Sequence, residues 1–331
     1  MAAGPGRADA VPVTNTRTAS PPASGSPLII EARGLTKRFG QRTAVADVDL
    51  SVPAGCAFGF LGHNGAGKTT VIRLLAGLTQ PDAGAIRIAG RPLARHREEI
   101  LARVGAIIEE PRFHRHLSGR ENLRVIAAVR GPQAQRRIGP ALERVGLGDR
   151  AGERVGAYSQ GMRQRLGIAR CLLADPRLII LDEPMNGLDP GGILELRGLI
   201  ADLVAEGRTV FLSSHLIDEI EKTCHAAAVI DRGRLIAQGP IGQLLGDGHA
   251  HYDLGCDNPR AAVSLLTAHP AVTQARETPT GVRVTVADPR AVSAVTASLV
   301  AAGITVSGFS PVRASLEDRF LALTSRVGAR A

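Results

Sequence analysis

The chain has no tryptophan, and its seven phenylalanines and two tyrosines make up only 3% of 331 residues. A core with so few rings must rest on Leu, Ile, Val and Ala, and any ring in a polar stretch raises a functional question. Long uncharged apolar runs are also missing. Nothing approaches the roughly 18 residues of a membrane span, and the first residues lack the apolar centre of a secretory signal, so a cytoplasmic protein is expected. Four cysteines, Cys56, Cys171, Cys224 and Cys256, stand apart without C-x-x-C spacing. That argues against a disulfide framework or a thiolate metal site and for reduced, packed side chains. Lysine is scarce: Lys37, Lys68 and Lys222 are the only lysines among 40 basic residues. Arginine therefore carries the net charge of +9, in scattered rather than blocked positions. Charge alone singles out neither nucleic acid nor an acidic membrane.

One of the three lysines falls inside Gly62-His63-Asn64-Gly65-Ala66-Gly67-Lys68-Thr69-Thr70, which fits the phosphate-binding pattern G-x-x-x-x-G-K-[ST] in full. Backbone N–H groups must converge on phosphate oxygens there, and glycines at 62, 65 and 67 let the loop curve where a Cβ would block it. Lys68 then meets the β and γ phosphates, and the Thr69 hydroxyl is placed to ligate Mg²⁺. The flanks agree: Cys56 to Leu61 reads as a buried strand and Lys68 to Ala76 as a helix whose N-terminus attracts anions.

The remaining polar clusters stand at strand or helix ends. Residues 1–26 are mostly Ala, Gly, Pro, Ser and Thr and read as a disordered tail. Leu28 to Ala32 and Ala44 to Val52 alternate as a hairpin would, with Phe39 in the polar turn between them, a ring suited either to packing beside the turn or to stacking under a base. Val104 to Ile108 is an apolar run ending in Glu109-Glu110-Pro111, a polar edge suited to a metal or a water. The helical stretch from 118 to 175 opens on a capping box, Ser118 with Glu121, and contains Tyr158-Ser159-Gln160-Gly161-Met162 just before a helix. Ser159 caps that helix, and Gly161 exposes N–H groups that suit capping or a second anion. Leu178 to Leu181 is a strand that delivers Asp182 and Glu183 at its carboxyl end. Asp182 is suited to Mg²⁺ and Glu183 to the attacking water, and with the phosphate loop the pair points to nucleotide hydrolysis. Asn186 to Pro190 is a tight turn. Thr209 to Leu212 is a strand leading to Ser213-Ser214-His215, where His215 can donate to a γ-phosphate.

In their order and spacing, these motifs over about residues 28–240 resemble the nucleotide-binding subunit of an ABC transporter. The resemblance implies an α/β fold, a P-loop NTPase of ABC type with a mixed sheet core, an antiparallel β subdomain and a helical subdomain at about 112–175, the whole spanning 27–245. It implies ATP and Mg²⁺ as cofactors. Phe39 takes the adenine-stacking place, Gly62 to Thr70 the Walker A loop, Asp182 and Glu183 the Walker B aspartate and catalytic glutamate. Ser159, Gln160, Gly161 and Met162 fall in the signature, acting on the other chain's nucleotide, Asp189 in the D-loop, and His215 is the switch histidine. Glu109 replaces the Q-loop glutamine and by position is a further Mg²⁺ candidate. The implied partners are an integral membrane permease and a second ATPase chain, packed head to tail as a homodimer or a pair, with no specific nucleic acid. The implied place is the cytoplasmic face of the membrane. Glu109-Glu110-Pro111, the signature Tyr158-Ser159-Gln160-Gly161-Met162 and the tail beyond 245 resemble the bacitracin, lantibiotic and anthracycline export subgroup.

Residues 246–331 read as an accessory α+β unit of β-α-β-β-α-β order, a ferredoxin-like pattern, followed by a capped helix from Ser315. A soluble ABC-type ATPase acting on ribosomes or DNA is the rival reading. It is disfavoured by a single cassette with no zinc or coiled-coil insertion.

Overall fold

The computed structural model describes residues 27–244 and 250–312. The tail read over 1–26 and the helix expected from Ser315 lie outside them. Leu28–Phe39 (β1) and Arg42–Pro53 (β2) form a hairpin longer than the sequence runs implied, so Phe39 ends β1 opposite Arg42 rather than sitting in a turn. Register shifts between Ala32 and Leu35 and again at Lys37 break the period-2 alternation, which hid the continuity of the strand. Ala57–Leu61 (β3) leads through the phosphate loop into Lys68–Leu75 (α1). Ala83–Ile88 (β4), Arg91–Pro92 (β5), Arg97–Leu101 (α2) and Val104–Ile107 (β6) follow. Gly119–Arg130 (α3), Pro132–Arg136 (α4), Ile138–Arg144 (α5) and Gln160–Leu172 (α6) form the helical stretch before Leu178–Leu181 (β7). Then come Pro190–Ala205 (α7), Thr209–Ser214 (β8), Ile217–Thr223 (α8), Ala226–Asp231 (β9), Arg234–Pro240 (β10) and Ile241–Leu244 (α9).

The central sheet has the order β10-β9-β3-β8-β7-β6, parallel except for its β10 edge, and a smaller antiparallel sheet has the order β2-β1-β4-β5. Alternation along β3 explains why the central sheet has a core on each face. Ala57 and Leu61 pack toward the helices, whereas Phe58 and Phe60 pack toward α1 and the antiparallel sheet. Phe211 joins the second core, with ring centroids 5.9 Å from Phe58 and 5.5 Å from Phe60. Three of the nine rings thus sit in the core that packs against α1, and truncating one to Ala costs about 3–5 kcal/mol. The capping box forms as read: Glu121 N–H donates to Ser118 Oγ (3.2 Å) and Ser118 N–H to Glu121 Oε2 (2.7 Å), a start worth about 1 kcal/mol to α3.

The C-terminal unit runs Ala250–Cys256 (β11), Pro259–Thr267 (α10), Val272–Thr278 (β12), Gly281–Val286 (β13), Val292–Ala301 (α11) and Val306–Val312 (β14). Its sheet has the order β12-β13-β11-β14, antiparallel throughout. The sequence alone suggests the last strand at Ile304 to Val306, and the observed one begins only at Val306. Ile304 is buried in this unit's core ahead of β14, and its apolar character mimicked a strand residue.

Candidate active site

Strand direction assembles the site. β3, β6, β7 and β8 are parallel neighbours, so the phosphate loop, Glu109, the pair Asp182-Glu183 and His215 all leave the sheet at one edge. The glycines of the loop serve its neighbours as much as its own curve. A Cβ on Gly62 would stand 2.5 Å from Ile230 O, and one on Gly67 2.7 Å from Ala44 O, so β9 and β2 press directly on the loop. The turn between β9 and β10 locks it further, because Gly233 N–H donates to Ala66 O at 2.8 Å. α1 begins after Gly67 with no side-chain cap and no acid in its first turn, leaving its N–H groups to an anion.

Lys68 is 6% exposed; its Nζ donates to Gly62 O (2.5 Å) and His63 O (3.3 Å) and lies 3.0 Å from Glu183 Oε1. His63 Nε2 is 2.6 Å from Asp231 Oδ1, and Nδ1 is 2.9 Å from Asn64 O, tying the loop to the end of β9. Asn64 and Gly65 are exposed, Ala66 is buried, and Thr69 and Thr70 are half-buried.

Ser213 organises the two carboxylates, a role that the sequence reading did not assign. Its hydroxyl donates to Asp182 Oδ1 (2.6 Å) and accepts from Glu183 N–H (2.8 Å). The only sequence signal for it is a polar residue at the carboxyl end of an otherwise apolar strand. Glu183 adopts a φ of 49°, a left-handed conformation rare outside glycine, and the Ser213 bond helps hold it there. His215 Nδ1 is 2.9 Å from Glu183 Oε2; a carboxylate only accepts, so the ring donates through Nδ1 and retains Nε2 for another partner.

Glu109 shares a cleft of ≈ 300 Å³ with Thr69, Gln160, Asp182, Glu183 and Asn186, yet its carboxylate is ion-paired with Arg73 of α1 at 2.6 Å. Phe39 is 53% exposed, with Lys37 Nζ 5.6 Å from its ring centroid, and so presents an open aromatic surface.

The signature residues divide by role. Ser159 is exposed and caps α6, accepting from Met162 N–H at 3.2 Å. Gln160 Nε2 donates to Asn186 O at 3.0 Å, and Gly161 is half-buried. Met162 departs from the reading: its side chain is 8% exposed and packs in the core, so only its backbone belongs to the polar turn. Apolar packing of a flexible thioether accounts for a methionine at this place. Asp189 is exposed and caps α7, accepting from Gly192 N–H at 3.2 Å.

Thr69 and Asp182, two oxygen donors, line the same cleft, and among the described residues no group of three or more His, Cys, Asp or Glu is placed to hold a metal ion by itself. That set fits Mg²⁺, which is commonly held by one or two protein oxygens together with substrate phosphates. A buried cation at the head of a helix and a carboxylate paired with a histidine beside it are together equipped to bind a nucleoside triphosphate and direct water at it.

The family model described as "ABC transporter" matches residues 45–186. The bacitracin transport ATP-binding protein of Bacillus licheniformis is 43% identical over 242 residues, 73% of this chain and 79% of the relative. The daunorubicin/doxorubicin resistance ATP-binding protein of Streptomyces peucetius is 37% identical over 303 residues, 89% of this chain and 92% of the relative. A solved structure of an ATP-binding subunit of an ABC transporter has a TM-score of 0.59 at 32% identity, over 65% of this chain and 91% of that one. The chain belongs to the ABC transporter ATP-binding proteins, the subunits that bind and hydrolyse ATP for a membrane transporter.

Proposed function

We propose that the chain powers export of a drug, antibiotic or peptide through a separate membrane-spanning permease, on the cytoplasmic face of the membrane. The cargo class rests on the bacitracin and daunorubicin relatives. The observation that carries the enzymatic reading is the convergence of Lys68, Asp182, Glu183 and His215 at one edge of the sheet, with Glu183 in contact with both Lys68 and His215.

In this reading the phosphates lie on the loop 62–70 at the head of α1, held by Lys68, and the adenine stacks on Phe39. Thr69 and Asp182 would hold Mg²⁺, which would supply positive charge to offset that of the phosphates. Glu183 accepts a proton from the attacking water, and His215 fixes the Glu183 carboxylate through Nδ1–H and, when its ring carries both protons, donates through Nε2–H to the γ-phosphate. Glu109 stays on the rim, held by Arg73. Two chains pack head to tail, so the exposed Ser159 and the N–H groups at Gly161 of one contact the γ-phosphate held by the other, with Gln160 and Asp189 steadying that turn and its neighbour. The C-terminal unit we assign to the ferredoxin-like class on its strand order, with a regulatory or dimer-supporting role. Unchanged dimerisation and transport after deletion of 246–331 would refute that role.

The test is a pull-down of tagged Glu183→Gln protein from gently solubilised membranes with ATP and Mg²⁺. Recovery of a polytopic membrane protein is the expected result. Recovery of ribosomes or DNA-processing proteins in its place overturns the transport reading.

A further inference from the structure

The edge of the central sheet opposite the site just described carries a row of arginines. Arg103, Arg177 and Arg208 each immediately precede a parallel strand, and the register Val104↔Leu178↔Thr209 sets them side by side at the amino ends of β6, β7 and β8. Backbone bonds join them: Arg177 N–H donates to Arg103 O at 3.2 Å, and Thr209 N–H to Arg177 O at 2.9 Å. Neighbouring like charges on adjacent strands repel, so the row calls for anions.

Arg208 has its anions within the chain, bonding Asp175 (2.9 Å) and Glu206 (3.2 Å). Arg103 and Arg177 do not. Both are exposed, and among the described residues neither guanidinium has a carboxylate or carbonyl partner. The carboxylates nearby are already engaged: Glu99 by Arg91, Asp175 by Arg137 and Arg208, Glu206 by Arg144 and Arg208. The chain before β1 does not complement the row either, since residues 1–26 hold Arg7 and Arg17 against a single Asp9.

Arg103 and Arg177 also line two adjoining clefts, of ≈ 500 and ≈ 750 Å³. The smaller has an apolar floor of Ile29, Ile88, Ile100 and Leu178, all less than a tenth exposed. We propose that this edge binds a small molecule with a phosphate group and an apolar body: the phosphate bridges Arg103 and Arg177, and the body lies on the isoleucine floor. Two guanidiniums side by side match the paired acceptor oxygens of a phosphate, and a concave apolar surface beside them selects for what the phosphate is attached to. The site lies on the edge of the sheet away from the phosphate loop, and it stands or falls independently of ATP hydrolysis.

The probe is hexyl phosphate, titrated by calorimetry into the full chain with the phosphate loop saturated by ADP. Wild type and the equal-charge control Arg260→Gln/Arg290→Gln, two exposed arginines of the C-terminal unit, are expected to bind one equivalent. Arg103→Gln/Arg177→Gln is expected to bind at least tenfold more weakly, with ADP affinity and melting temperature unchanged to show that it is folded. Equal binding by all three proteins overturns the site, and so does an inorganic phosphate affinity matching that of hexyl phosphate, because the apolar floor then contributes nothing. Sedimentation with phosphatidylglycerol vesicles separates the two sources of such a ligand. Arginine-dependent vesicle binding alongside hexyl phosphate binding identifies a lipid, and hexyl phosphate binding alone identifies a free phosphorylated metabolite. Vesicle binding without hexyl phosphate binding refutes the small-molecule site.

Discussion

Lys68 Nζ and Glu183 Oε1 stand 3.0 Å apart, so the cation assigned to the phosphates and the carboxylate assigned to the attacking water oppose each other across the site. The contact is one of charge: Glu183 Oε1 is buried and makes no hydrogen bond, whereas Oε2 is held by His215. A γ-phosphate approaching Lys68 therefore competes with Glu183 for the same ammonium. Replacing Glu183 by Gln removes that competitor and the proton acceptor together. Glu183→Gln is expected to bind ATP at least as tightly as wild type while its turnover falls about 10²- to 10⁴-fold. Equilibrium nucleotide binding and phosphate release read the two effects separately, and undiminished turnover would remove Glu183 from its role. Lys68→Ala should do the reverse, losing ATP binding, because nothing else in the loop supplies a buried cation.

Ser213 links the Asp182 carboxylate to the Glu183 backbone N–H, and its loss should act on both residues. In Ser213→Ala the Asp182 carboxylate loses a 2.6 Å donor, and the Glu183 N–H is left without an acceptor at a residue already in a left-handed conformation. Because the hydroxyl is fully buried, the cost is about 2 kcal/mol and the melting temperature falls by about 5 °C. Asp182 and Glu183 also become less well placed, so turnover at saturating ATP and Mg²⁺ drops by more than the melting shift explains. A variant with wild-type turnover and a lowered melting temperature would make Ser213 purely structural.

What could be read from the chain follows from how local each signal is. The phosphate loop, the capping box at Ser118 and the β7 carboxylates each lie within a few consecutive residues, where chemistry and local geometry coincide. The Ser213 bridge, the His63–Asp231 contact and the pressure of Ala44 O on Gly67 join segments 23 to 168 residues apart, and only the sheet order brings them together. Phe39 and β14 show another limit. Bulges at Ala32 and Lys37 hid the continuation of β1 from Ala32 to Phe39, and buried Ile304 passed for a strand residue because core burial and strand alternation favour the same side chains. Met162 was legible as part of a polar turn but not as a core residue, since a helix start exposes its backbone and buries alternate side chains at once.

Glu109 and Asp182 share a cleft and a charge, and a Mg²⁺ titration tells them apart. Glu109 is committed to Arg73, more than half exposed, while Asp182 is buried and oriented by Ser213. A ligand held in place by its neighbours binds metal better than one engaged by a guanidinium. Asp182→Asn is expected to raise the Mg²⁺ concentration for half-maximal ATPase about 10- to 100-fold. Glu109→Gln should leave that concentration within about twofold of wild type, as expected for a residue outside the inner set of ligands. Equal shifts in the two variants would place Glu109 on the metal.

The cysteines offer a test of the fold without reference to nucleotide. Burial pushes the thiols of Cys56 and Cys171 up to about 11 and that of Cys224 well above its usual value, because the apolar core disfavours the thiolate. At pH 8 a thiol at 11 is ionised about a hundredfold less than one at 9, and alkylation follows the thiolate. Cys256, its thiol also raised by burial, is the one cysteine only half-buried, so iodoacetamide at pH 8 should modify it first and leave the other three unmodified until denaturant is added. The same shifts fix the sign of a stability change. Between pH 9 and 11 the unfolded chain gives up thiol protons that the folded chain keeps, so unfolding becomes easier as pH rises. Tyr158, its hydroxyl also raised by burial and donating to Arg150 O at 2.7 Å, adds to the same trend just above that of an ordinary tyrosine. The urea midpoint should fall from pH 8 to pH 10.5, and substituting Cys56 and Cys171 by Ala should flatten part of that fall. A midpoint that holds steady across the interval would mean that these thiols are not in the core the structure assigns them.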